Sequence, residues 1–395
     1  MKEIIEIEKN IRKDLPERFS ELDFFKKNFS RIINLFEGNI MPPYEVLIHP
    51  SSICNLSCKW CIGSYVAKNR NKVLENSLSK KENMKKVIQG ILSYEKQGKD
   101  YLNGGIEKYR IENISFSGIT GEPLVSKESL KYAIDILKNS GRRVGMFTNG
   151  SLVTSSEYNF LANLDYILIS LDAGTPQTYS KLKCDNKEKD MFDKIVTNIE
   201  GLIRYKKNNN SNIDVNIGYM VNKLNYCELY NVAKKLKEIG IHYLRLKTDI
   251  SSQIVLNEAE NKELKMQIRN IKNDIEDNYF KIIEIHKIGN EEQKYRDFKK
   301  CFIHYLYGAI SADGRVYPCN YHPKVNGYSY ESSIEKKFGD IWDKIQKYEI
   351  DKEIPNICPD RCDPFKTRAN RLLELAYTIY KNEGIDKLKE YIFNL

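Results

Sequence analysis

Six short runs rich in β-branched and aromatic residues recur between residue 44 and about residue 250: 44–50, 111–118, 143–149, 165–172, 214–221 and 242–247. Stretches with helical apolar spacing lie between them. Residues 227–239 are one, with Leu229, Val232, Leu236 and Ile239 on one face. Strands joined through helices pair in parallel, because the crossover is too long for a hairpin and packs its helix on the sheet. The pattern therefore predicts an α/β fold with a parallel sheet and helices outside. In such a fold the strand ends share one rim, where reactive groups collect.

The first run leads into Cys54, Cys58 and Cys61, with Trp60 just before the last of them. Three thiolates leave one iron of a cubane cluster without a protein ligand, and an open coordination position marks a reactive site rather than a closed structural one. The residues alone also admit a zinc site short of one ligand, or a redox thiol cluster.

The spacing, with its aromatic residue, resembles the signature of the radical S-adenosylmethionine (SAM) enzymes. That resemblance implies a partial (β/α)6 TIM-type barrel and a 4Fe–4S cluster on Cys54, Cys58 and Cys61. In the family the open iron binds the amino and carboxylate groups of SAM. Reductive cleavage then gives a 5′-deoxyadenosyl radical that takes hydrogen from substrate. Gly121, Glu122 and Pro123 resemble the family's Gly-Gly-Glu-Pro element at the SAM amino group, with Thr120 standing where the first glycine usually does. As a plain structural element, the same tripeptide suits a strand-to-helix turn. Thr148, Asn149 and Gly150 also recur in the family, which implies that Asn149 faces the barrel mouth. Ser170 and Asp172, two apart, share one side of a strand; the resemblance implies that this strand end holds the ribose and carboxylate of SAM. Asp172 also suits a turn. Residues 218–221 resemble the stretch that packs on adenine. Arg245, Lys247 and Asp249 are expected near substrate or as ordinary rim charges.

A second cysteine set follows at Cys301, Cys319, Cys358 and Cys362. Asp313 and Gly314 between two β-rich runs signal a hairpin that folds Cys319 back toward Cys301. Four thiols suit a closed tetrahedral site, zinc or iron–sulfur. Their order, with a helix starting near Phe338, resembles the twitch domain, the short form of the SPASM domain found after many radical SAM barrels. It implies one auxiliary 4Fe–4S cluster, although the last pair is three residues apart where two is commoner. No cysteine follows Cys362, so a second auxiliary cluster is not expected. Of the nine cysteines, Cys184 and Cys227 then remain as plain thiols. His322, shortly after Cys319, is expected to be an exposed loop histidine.

The domain reading is an N-terminal helical extension (1–43), a core barrel (44–255), a helical connection (256–300), a twitch/SPASM-like α+β domain (301–365) and a C-terminal helix (366–395). Apolar residues from Phe19 to Phe36 recur at helical spacing, closing near Gly38, and are expected to cover one barrel end rather than to form a leader-peptide-binding module. No run approaches the roughly 18 apolar residues of a membrane span, and the first residues lack a signal-peptide core, so a cytoplasmic location is expected. The net charge of +9 is interleaved with acids, which argues against nucleic acid. The expected partners are a small-molecule or peptide substrate and an electron donor such as flavodoxin or ferredoxin, with no membrane. The expected reaction is a two-electron oxidation of a sugar or aminocyclitol, with the auxiliary cluster accepting the electron. A peptide- or protein-modifying maturase is the alternative, and a non-catalytic metal-binding regulator the alternative of another class.

Overall fold

The computed structural model describes residues 15–16, 19–66, 74–119, 121–184, 190–248, 254–285, 298–323, 329–358 and 362–395. Thr120, Asp249, His286 and the N-terminal residues expected to lack a signal core lie outside the described residues.

The strands are β1 (Glu45–Ile48), β2 (Glu95–Lys99), β3 (Ile106–Arg110), β4 (Asn113–Phe116), β5 (Arg143–Thr148), β6 (Tyr166–Ser170), β7 (Asp214–Val221), β8 (Tyr243–Thr248), β9 (Lys281–Glu284), β10 (Tyr307–Ile310) and β11 (Val316–Tyr317). Nine of them form one sheet in the order β11-β10-β1-β4-β5-β6-β7-β8-β9. Every pairing is parallel except β10 with β11. The six strands anticipated from the sequence are β1 and β4 through β8, side by side in chain order, as a partial (β/α) barrel requires. Their helix-facing residues, such as Val46, Ile48, Ile114, Phe116, Ile167 and Ile169, are fully buried, while Leu47, Tyr166, Leu168 and Ser170 of the alternate face line a cavity. The crossover helices seal the outer face. Lys81–Leu92 buries Met84, Val87, Ile88 and Ile91 against the sheet, and each such side chain contributes about 1.5–3 kcal/mol.

The sheet runs further than the sequence pattern indicates. The segment 256–300 holds a strand as well as the helix Glu258–Asp274. Its β9 extends the parallel sheet by pairing Tyr243 with Lys281 through Leu246 with Glu284. A four-residue apolar run cannot be told from a helix fragment by periodicity, and the free edge of β8 decides the matter. Along that helix Met266 is exposed, whereas Leu264, Ile268 and Ile271 are buried. The β2–β3 hairpin escaped notice because its residues are mostly charged and exposed. Ser30 Oγ donates to Asp100 Oδ1 at 3.1 Å, and Asn34 Nδ2 to the Lys99 carbonyl at 2.9 Å, docking it on the N-terminal helices.

The hairpin β10–β11 forms around Asp313 and Gly314 (φ +77°). Its first strand lies on the outer side of β1, pairing Ile48 with Ile310, so the C-terminal cysteine segment grows directly out of the barrel sheet. The single helix anticipated near residues 19–36 is two, Glu21–Lys27 and Phe29–Phe36. Asn28 breaks it by turning its side-chain amide onto the Phe24 carbonyl at 2.9 Å. The C-terminal end is likewise two helices, Pro364–Glu383 and Ile385–Asn394.

Candidate active site

A cavity of about 700 Å³ opens where the strands end. Its wall includes Cys54, Cys58 and Cys61, then Gly121, Glu122, Asn149, Ser170 and Asp172, and finally Asn320, Tyr321, Asp363 and Lys366. Pro123 is buried behind it, as the first residue of a 3-10 turn.

The cysteine loop is held by backbone on two sides. The amides of Ser57 and Lys59 donate to the carbonyls of Lys183 and Leu182, at 3.0 and 3.1 Å, at the end of the helix Pro176–Lys183. On the other side, Glu122 N–H donates to the Ile53 carbonyl at 2.8 Å. A β-carbon on Gly121 would sit 2.5 Å from that carbonyl, and one on Gly63 would sit 2.2 Å from the Ile119 carbonyl. The two loops therefore interlock only because both residues are glycine.

Side chains complete the lock. Asn149 Nδ2 donates to Asn55 Oδ1 at 2.9 Å, and Asn55 Nδ2 to Ser151 Oγ at 2.7 Å. Asn149 Oδ1 accepts from Ser151 N–H and Oγ–H. Glu122 accepts from Leu124 N–H, Thr148 Oγ1–H and Asn149 N–H. Burial pushes its carboxyl pKa up, and these three donors oppose the shift. Asp172 lies beyond the end of β6, at φ +59°, so strand alternation does not govern it. Its Oδ2 meets Lys183 Nζ at 2.8 Å, both side chains being almost fully buried, and its Oδ1 accepts from Met220 N–H at 2.7 Å. Ser170 Oγ, by contrast, has no hydrogen bond to any described residue and faces the cavity. Asn55 and Lys183 had no signal in the sequence, since neither stands at a motif position.

The three thiols are neighbours. Each of Cys54 and Cys58 feels the charge of Cys61, so they are mutually close. Burial pushes Cys58 up to about 12, while Lys183 works to lower it. Metal loading must therefore displace protons, with the buried ammonium favouring the thiolates that result. The second set also converges. Burial, then Cys358, Cys362 and Cys319 in turn, push the Cys301 thiol far up. Among the described residues no three His, Cys, Asp or Glu side chains are placed around a single-ion position. His322 is a correction: it is 1% exposed, with Nε2 3.4 Å from Cys358 Sγ, because the hairpin and the last cysteine segment close over it. Cys184 is buried at the end of its helix, and Cys227 is exposed.

Residues 48–236 match the family model described as Radical SAM superfamily. The chain is 24% identical over 338 residues to a cysteine-type anaerobic sulfatase-maturating enzyme of Clostridium novyi (strain NT), covering 80% of this chain and 83% of that protein. Among solved structures it superposes on Streptococcus suis SuiB bound to precursor peptide SuiA with TM-score 0.57 at 15% identity, over 86% of this chain and 74% of that one. It superposes on anSMEcpe with bound AdoMet with TM-score 0.55 at 16% identity, over 89% and 100%. At those identities the likeness to the solved structures is one of fold. Members of the superfamily bind SAM and a 4Fe–4S cluster, and SPASM-type members carry auxiliary clusters as well. With three cysteines closing a cavity at the ends of a parallel partial barrel, residues 48–236 of this chain form a radical SAM domain.

Proposed function

We propose that this radical SAM enzyme modifies a side chain of a peptide or protein, by a two-electron oxidation that begins with hydrogen abstraction. The observation that carries the reading is the C. novyi relative, a maturase whose likeness spans 83% of its own length. On this relative the peptide alternative takes the place of sugar or aminocyclitol oxidation. The cavity is of a size that suits a cofactor with a substrate side chain, lying in the roughly 300–1,000 Å³ range of ligand pockets.

Cys54, Cys58 and Cys61 would hold the SAM-binding 4Fe–4S cluster, and Cys301, Cys319, Cys358 and Cys362 an auxiliary one. When bound, the first supplies the electron that cleaves SAM and the second an acceptor for the substrate's electron. The chain's own part is positioning. Gly121 lets the turn after β4 pack against the backbone leading to Cys54, and Ser170 offers an uncommitted hydroxyl. Glu122 and Asn149, with their hydrogen bonds already made, fix the cysteine loop to the ends of β4 and β5. Asp172 with Lys183 fixes that loop to β6 and β7. The electron donor is proposed to be a flavodoxin or ferredoxin and the location the cytoplasm; no helix among the described residues is long and apolar enough to cross a membrane.

The test is anaerobic reconstitution beside the Cys54→Ala/Cys58→Ala/Cys61→Ala variant. About eight irons per chain, falling to about four in the variant, are expected for two such clusters, with 5′-deoxyadenosine made by the parent alone. Deuterium transfer into 5′-deoxyadenosine from a labelled peptide supports the proposal. Transfer from a labelled aminocyclitol and not from peptide sinks it.

A further inference from the structure

We propose that Lys366 is a positioning residue of the auxiliary site, whose ammonium is aimed at Cys319 Sγ and raises the reduction potential of the cluster held there. The inference rests on the reading of Cys301, Cys319, Cys358 and Cys362 as ligands of one cluster.

Lys366 is 8% exposed, in the first turn of the helix Pro364–Glu383. A buried lysine is costly, and one at a helix N-terminus also opposes the helix dipole. Something negative must offset both. Its Nζ donates to Asn320 Oδ1 at 2.8 Å and lies 3.9 Å from Cys319 Sγ. It also stands 5.4 Å from the centre of the Tyr307 ring. Two carboxylates act on it, the buried Glu45, which accepts from Ser115, and Asp363, which is engaged elsewhere. Asp363 caps the Phe365 and Lys366 amides and meets Lys247 Nζ at 3.4 Å.

The 3.9 Å approach to Cys319 Sγ places the ammonium beside one of the four sulfurs proposed to hold the cluster. As a thiol, Cys319 Sγ donates to Asn320 Oδ1 at 3.1 Å. As a ligand thiolate it only accepts, and Lys366 is then the donor beside it. Reduction adds one negative charge to a cluster, so a buried ammonium next to a ligand sulfur stabilises the reduced form more than the oxidised one. Lys366 also lines the cavity, between Cys319 and the space left for substrate. That placement suits a group easing electron uptake from the substrate side.

The test uses the Cys54→Ala/Cys58→Ala/Cys61→Ala background, reconstituted anaerobically, so that the auxiliary cluster is read alone. Redox titration followed by electron paramagnetic resonance gives its midpoint potential for the Lys366 protein and for K366R, K366M and K366Q. Both neutral variants are expected to favour the oxidised cluster by at least tenfold, a fall of about 59 mV for one electron, with K366R staying close to the Lys366 protein. Equal potentials across the series overturn the proposal. So does loss of iron in both neutral variants with retention in K366R, which would make Lys366 an assembly residue. If the Lys366 protein itself holds no iron in this background, the auxiliary-cluster reading fails first and carries the inference down with it.

Discussion

His49 follows β1, five residues before Cys54, and is fully buried, with Nδ1 3.0 Å from the Ser117 carbonyl. Burial pushes its pKa down from 6.5 to about 4. The unfolded chain then binds a proton that the folded chain refuses, so the stability linked to this group is complete above pH 6.5 and lost as pH falls toward 4. Between pH 7 and 5 the loss is on the order of 2 kcal/mol. Urea melts of the metal-free protein and of His49→Leu at both pH values measure it; the parent's drop should exceed the variant's by that amount. At this scale sequence and structure divide clearly. Cys54, Cys58 and Cys61 were legible as one group because spacing within one loop is a local property. Asn55, Lys183 and Lys366 were not, because their partners lie on other elements. His322 read as an exposed loop residue for the same reason, as nothing nearby in the chain shows what closes over it.

Between elements, the decisive contact is the crossing of the cysteine loop with the turn after β4. Gly121→Ala puts a β-carbon 2.5 Å from the Ile53 carbonyl, against backbone that has no rotamer to escape through. The expected outcome is a folded protein whose far-UV circular dichroism matches the parent. Its iron content should drop from about eight toward about four, as expected for loss of one 4Fe–4S cluster, and SAM cleavage should disappear. Parent-like iron and cleavage in Gly121→Ala would show that the interlock is not needed. The six strands β1 and β4–β8 were legible as elements because each is a β-branched run flanked by helical spacing. β9 was not, being four residues long and defined by the edge it pairs with. The β2–β3 hairpin carries almost no apolar signal at all.

Across the whole molecule, the two ends of the chain are tied together. Arg368 Nε meets Glu21 Oε2 at 3.1 Å, with the side chains 3% and 2% exposed, and Arg368 Nη2 donates to the Phe19 carbonyl at 3.3 Å. Phe36 packs its ring on Phe302, Tyr377 and Tyr380 in the same region. Removing one partner of a buried pair strands the other charge, so Arg368→Met should lower stability by about 3–5 kcal/mol. The double variant Glu21→Leu/Arg368→Met should recover much of that loss in thermal or urea melts. A double variant no more stable than the single would assign the cost to packing instead.

The amino-acid sequence by itself determined the repeating strand–helix order, the two cysteine sets and the Asp313–Gly314 hairpin. Each depends on residues close together in the chain, where periodicity, ligand spacing and turn chemistry act. Tertiary structure alone decided that β10 docks in parallel on β1 and brings the second cysteine segment onto the same cavity as the first. It also decided that Glu122, Asn149 and Asp172 spend their hydrogen bonds holding loops, while Ser170 keeps its hydroxyl uncommitted. Those outcomes turn on which backbone edges and buried charges meet across long stretches of chain, and such meetings are selected by the packing of the whole sheet.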